Sequence, residues 1–231
     1  MRWARRTLLV LIVGSGVLYL PNLVVAVLRD GPSTCHGTTR AGWIENSVRL
    51  TGGAARPYCW LCARALRTYG HRPAVEAIEA AYNEVAVEFP ETDWVYGESA
   101  FPWGGRFWPH RTHRNGLAFD FMVPLKGGKP LPANVFNRFG YDLEFDTQGR
   151  GAAGEIDFAA IARHLELLEQ HAQAAGGGIG RVIIAPDLQD DLFAAPGGGD
   201  LAQRLRFNKQ PSWVRHDEHY HVDFDFPCQP E

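Results

Sequence analysis

Residues 219–226 read His219-Tyr-His-Val-Asp-Phe-Asp-Phe226. Side chains alternate between the two faces of a β-strand. A last strand over 220–226, extended back to His219, therefore sets His219, His221, Asp223 and Asp225 on one face, with Tyr220, Val222, Phe224 and Phe226 on the other. The apolar face belongs in a core, and the polar face offers two imidazoles and two carboxylates to a cleft. Its counterpart upstream is Leu117-Ala-Phe-Asp-Phe-Met-Val123, apolar except for Asp120, which reads as a buried strand. An ionised carboxylate in that setting is costly unless it is paired with a cation or binds a metal. Two strands of this kind, about a hundred residues apart, imply that the chain folds back to bring their polar positions together.

The segments between them supply the other layer. Residues 73–87 predict a helix, with Pro73 at its start and Val75, Ile78, Ala81 and Tyr82 on one face. Residues 156–175 predict a second helix, stopped by Gly176-Gly-Gly178. His164 and His171, seven apart on it, read as solvated or partly packed. Shorter strands are expected at 94–99 and 181–185, extended pieces around a Gly52-Gly53 turn over 43–57, a turn at 127–132, a hairpin arm at 139–146 and a helix at 188–194. The pattern predicts an α+β domain, a mainly antiparallel sheet with flanking helices.

The amino end differs in kind. Arg2, Arg5 and Arg6 precede an uncharged apolar run from Thr7 to Leu28. At about 1.5 Å rise per residue such a run matches the roughly 30 Å hydrocarbon core of a bilayer. It exceeds the usual signal-peptide core and ends without a small-x-small cleavage site. The expected organisation is a cytoplasmic basic end at 1–6, a transmembrane anchor at 7–28, a linker at 29–42 and a domain at 43–231. The arginine asymmetry puts that domain outside the cytoplasm. Cys35, Cys59, Cys62 and Cys228 fit an oxidising compartment as structural disulfides, with three pairings open. A formal net charge of −3 without a basic run excludes general attraction to nucleic acid.

Five of the nine histidines fall in two windows: His110 and His113, followed by Asp120, and His216, His219 and His221. Imidazole nitrogens with a carboxylate are the donor set that zinc takes at hydrolytic sites. His110 has two readings, an additional metal-side group or a loop histidine.

The pattern His113-x-x-Gly116-x-Ala118-x-Asp120 with His219-x-His221 resembles the zinc signature of the LAS metallopeptidases. Within that group the chain is most similar to the penicillin-insensitive murein endopeptidases. The likeness takes in Tyr69-Gly-His71, Gly104-Gly-Arg-Phe107, Arg181-Val-Ile-Ile-Ala-Pro186 and Pro227-Cys228, and spans roughly Arg40 to Cys228. The resemblance implies a LAS-type core in which His113, Asp120 and His221 bind one Zn²⁺, with His110 a candidate further ligand. It implies His219 as the catalytic base and His216 as an orienting or transition-state group. The substrate implied is peptidoglycan, cut at amide bonds of its peptide cross-links in the periplasm of a bacterium, with the anchor in the inner membrane. Two departures lean elsewhere. Ala118 stands where the endopeptidase pattern has a second Asp, and Glu218-x-x-His221 reproduces a pattern in which the D-Ala-D-Ala carboxypeptidases use Glu as base. On a regular strand Glu218 and His221 face opposite ways, so Glu218 as base requires a bulge or turn. The alternatives are a D-Ala-D-Ala carboxypeptidase or dipeptidase on the same scaffold, and a metal-retaining cell-wall-binding protein without catalysis.

Overall fold

The computed structural model describes residues 20–29, 31–132 and 143–230. In chain order the elements are helix α1 (20–28), strands β1 (Thr34–Gly37), β2 (Gly42–Glu45), β3 (Val48–Arg49) and β4 (Arg56–Pro57), helix α2 (Trp60–Arg64), β5 (Tyr69–Gly70), helix α3 (Arg72–Glu88), β6 (Val95–Tyr96) and β7 (Ala118–Met122). After these come β8 (Arg150–Gly151), β9 (Gly154–Glu155), helix α4 (Phe158–Ala174), β10 (Gly178–Ile183), the short helices α5 (Gln189–Ala194) and α6 (Leu201–Arg204), and β11 (His219–Asp225). The architecture is α+β. A five-stranded sheet runs in the order β10-β11-β7-β6-β4, antiparallel except where β6 meets β4.

The two strands read from the sequence are neighbours in that sheet, and their register fixes everything around them. His221 faces Asp120, Tyr220 faces Phe121 and Val222 faces Phe119. Strand alternation then gives the sheet one aromatic face and one face of ionisable groups. The aromatic face is covered by α3 and α4. Helix α3 buries Ala74, Val75, Ala77, Ile78, Ala81, Tyr82 and Val85, and the Tyr82 ring meets Phe121 edge-on at 5.9 Å. Helix α4 starts where the Asp157 side chain accepts from Ala160 N at 3.0 Å, and it buries Ile161, Leu165, Leu168 and Ala172. It ends where Gly176 takes φ +82° and Gly177 N bonds Ala172 O at 2.9 Å.

Several expectations change. The 29–42 stretch, expected as a linker, contains β1, which pairs with β2 and bonds through Gly37 N to Gln229 O at 2.9 Å. Helix α6, Leu201–Arg204, falls in a stretch to which the sequence assigns no element. His164 is neither solvated nor partly packed. It is fully buried, stacked on Tyr82 at 4.4 Å, with Nδ1 2.5 Å from the Tyr220 hydroxyl. It shares the inward face with Ile161, Leu165 and Leu168, and that face leaves it no route to water. The basic end at 1–6 and most of the expected anchor, residues 7–19, lie outside the described residues, as do residues 139–142 of the expected hairpin arm. Among the described residues no helix is long and apolar enough to cross a membrane. Helix α1 packs on the domain: Asn22 Nδ2 donates to Arg64 O and Asn22 Oδ1 accepts from the Tyr69 hydroxyl, both at 2.9 Å.

All four cysteines are in disulfides, Cys35–Cys228 across 193 residues of sequence and Cys59–Cys62 across three. Loop-closure entropy makes the long link far the more consequential. Replacing Cys35 and Cys228 by Ser should lower unfolding stability in urea by about 2–5 kcal/mol, and replacing Cys59 and Cys62 by much less. Equal losses would contradict the loop-length argument. His164 gives a second test. Burial pushes its pKa down to about 3 from 6.5, so the unfolded chain takes up the proton first. Its contribution to stability is complete above pH 6.5 and drains away as pH falls toward 3. The double substitution H164F/Y220F removes the titrating ring together with the hydroxyl it satisfies. The acid unfolding midpoint, followed by near-ultraviolet circular dichroism, should move to lower pH, and an unmoved midpoint would refute the assignment.

Candidate metal centre

Asp120 lies in the middle of β7, 1% exposed, and it is the point on which the polar face converges. The chain reaches it through a tight loop that swings His113 over the sheet. His113 has φ +66°, and Gly116 has φ +75° with its carbonyl accepting from His71 N at 2.9 Å. A Cβ on Gly116 would come within 2.8 Å of His71 N, so only glycine fits there. His113 Nε2 lies 3.4 Å from Asp120 Oδ1, and His221 Nδ1 lies 2.8 Å from the same oxygen. His219 Nε2 is 3.9 Å from it, and His110 Nδ1 is 3.8 Å from Oδ2. His216, the second non-glycine site residue at positive φ (+60°), places its ring 4.5 Å from that of His219. Every histidine of the two sequence windows therefore arrives at one place. Donor atoms of His110, His113 and Asp120 all lie within 4.8 Å of one another, and this buried group could hold a metal ion.

What stands behind these side chains fixes which ring nitrogen faces the centre. His221 Nε2 is 3.0 Å from Asp223 Oδ1, and Arg181 holds the other oxygen of Asp223 through Nε at 3.1 Å and Nη2 at 2.5 Å. A carboxylate only accepts, and each ring nitrogen of His221 faces one, so the ring donates from Nε2 to Asp223 and from Nδ1 to Asp120. A metal beside Asp120 would replace the Nδ1 hydrogen and leave Nε2–H on Asp223. His110 repeats the arrangement. Its Nε2 is 3.0 Å from Glu98 Oε2, and Arg67 grips Glu98 through Nε at 2.5 Å and Nη2 at 2.9 Å. Each of these imidazoles is oriented by a carboxylate that is itself clamped by a guanidinium. His216 Nδ1 donates to Val214 O at 2.7 Å, which leaves Nε2 as an acceptor. Glu218 precedes β11, so its side chain is not bound by strand alternation. Its Oε1 lies 3.1 Å from His219 Nδ1.

The electrostatics follow from burial among few charges. Burial pushes His113 down to about 4 and His216 to about 3, so both are neutral near pH 7 with lone pairs to offer. Burial would raise Asp120, but the facing His113 and His219 imidazoles outweigh it and hold the carboxyl well below its usual range. Burial lowers His221, yet Asp223 and Asp120 bring it up to about 9. The two carboxylates that attract a proton to that ring would attract a cation equally well. His113 is the telling case: completely buried, with no hydrogen-bond partner for either ring nitrogen among the described residues. Native folds rarely leave a buried polar group so, and a metal held jointly with Asp120 would satisfy Nε2.

The cluster opens to solvent through a cleft of about 380 Å³, walled by His110, His113, His216, His219, His221 and Trp213. Glu218 is behind His219 and does not line the cleft. The sequence reading missed Arg67 and Glu98. The available signal was the one that marked Asp120, an acid within a short buried strand segment, here Val95-Tyr-Gly-Glu98. Comparison with models of known protein families gives no match, and comparison with curated proteins gives none.

His113 and Asp120 belong to the group that could hold a metal, and His219 lies outside it. After loading with zinc and dialysis, H113A and D120A should retain almost no metal and H219A most of it, as read by elemental analysis. Equal loss in all three would refute this division.

Proposed function

We propose that the chain is a zinc-dependent hydrolase of amide bonds in peptidoglycan peptide cross-links, a murein endopeptidase on a LAS-type scaffold. The reading places it at the outer face of a bacterial inner membrane, carried by its amino-terminal segment. The observation that carries it is the convergence of His113 and His221 on Asp120, with His219 beside them and Glu218 behind His219.

Two imidazoles and a carboxylate are a donor set of hydrolytic zinc sites. His113 Nε2 and His221 Nδ1 lie 3.4 and 2.8 Å from Asp120 Oδ1, so the three side chains would be the ones to hold the ion. Zinc bound there would supply Lewis-acid chemistry, polarising a carbonyl and acidifying water. The rest is the work of side chains. His219 Nδ1 is held by Glu218, which leaves Nε2 to accept a proton from the attacking water and return it to the leaving amine. Glu218 both orients that ring and stabilises its charged form: against the effect of burial, it and Asp120 raise the His219 pKa. His216, fixed by Val214 O, offers an acceptor that suits orienting the water or the amine. Trp213 gives the cleft an apolar wall on which a substrate can lie. The two disulfides agree with an exported domain.

One observation favours a D-Ala-D-Ala carboxypeptidase or dipeptidase on the same scaffold. Arg111 lines the cleft beside His110 and could receive a terminal carboxylate. Digestion of defined muropeptides separates the two. Conversion of cross-linked dimers to monomers is expected, with H219A slower by about 10²–10⁴-fold. Free D-Ala from monomeric pentapeptide, with dimers untouched, would transfer the assignment to the carboxypeptidase.

A further inference from the structure

A second cavity of about 710 Å³ adjoins the metal cleft, and Arg40 and Arg181 line both. Its inner wall carries Asn115, only 1% exposed. The Asn115 amide nitrogen rests 3.6 Å from Cys228 Sγ, a weak acceptor. Its carbonyl oxygen is buried and has no hydrogen-bond partner among the described residues. Asn115 lies two residues beyond His113, so the cavity wall and the candidate metal centre share one loop.

Some of the charges around this space are equally unspent. Arg181 is committed to Asp223. Arg40, exposed on the shared boundary, has no carboxylate partner among the described residues, and neither has Arg206 farther along the second cavity. Asp225, also exposed, lines the same wall. Guanidinium groups suit a carboxylate, while Asn115 Oδ1 and Asp225 suit an amide or ammonium N–H. The complement of this surface is an amino-acid unit that carries a carboxylate and an N–H donor side by side. A ligand seated there and reaching the metal cleft must pass Arg40, so it extends beyond the bond being cut.

We propose that this second cavity is a substrate subsite, in which Asn115 and Arg40 hold the second peptide stem of a cross-linked, acidic substrate. This rests on the function proposed above and adds the substrate's reach, which a terminal carboxypeptidase would not need.

The test uses the full-length H219A protein loaded with zinc, titrated calorimetrically with a cross-linked stem dimer and with the corresponding monomer. The dimer should bind at least ten-fold more tightly than the monomer. On that background N115A and R40A should each erase at least five-fold of the difference, with zinc content unchanged, and R40K should recover part of it. Equal affinity for dimer and monomer, no binding of either, or indifference to both substitutions overturns the subsite. Digestion with the unsubstituted protein keeps the two ideas apart. Dimer cleavage without dimer-selective binding leaves the hydrolase standing and removes the subsite. Selective binding without any cleavage does the reverse.

Discussion

The contact on which the structure depends is the cross-strand pair His221–Asp120, two ionisable side chains facing each other at 2.8 Å within a sheet whose other face is aromatic. A slip of one residue between β7 and β11 would exchange the two faces of β11 relative to its partner, driving histidines into the core and Tyr220 into the cleft. The core contacts of Tyr220 with Phe121, and of Val222 beside Phe119, therefore hold the polar cluster in register from behind. Packing and chemistry share one alignment, and neither could be shifted without loss of the other.

Around that pair the protein meets the cost of burying charge by pairing outward in layers. Arg181 and Asp223 stand behind His221, and Arg67 and Glu98 behind His110. Although burial raises Glu98, Arg67 and His110 more than offset it and keep the carboxylate ionised. Breaking one such layer would leave a charge unpaired in a poorly solvated place, which is far worse than losing an exposed ion pair. Orientation of the imidazoles is thus a property of the whole sheet.

Much of this was legible in advance, for identifiable reasons. Strand alternation named the polar face of β11, and the cost of a lone carboxylate among apolar neighbours singled out Asp120. Helical spacing found α3 and α4 because their buried stripes are long. What escaped was set by tertiary context. β1 is four residues held by β2 and the far end of the chain, so its own sequence carries little signal. His164 carries no mark of burial in its own helix, because its partner, the Tyr220 hydroxyl, comes from a strand 56 residues away. For Glu218 the alternation rule leaves two orientations open, strand or turn. The residue precedes β11, and that turn is what aims it at His219.

The order of residues along the chain has a consequence for biosynthesis. His113 and Asp120 come from the middle of the protein, whereas His219 and His221 come near its end, and β1 is closed onto Cys228 and Gln229. During synthesis from the amino end, a nascent chain can bury helices α3 and α4 against β7 yet still lack half of the cluster and the strand that aligns it. Completion of the centre waits for β11 to emerge, and the Cys35–Cys228 bond then ties β1 to the segment that follows it. A centre laid out in this way stays unassembled in every copy truncated before β11.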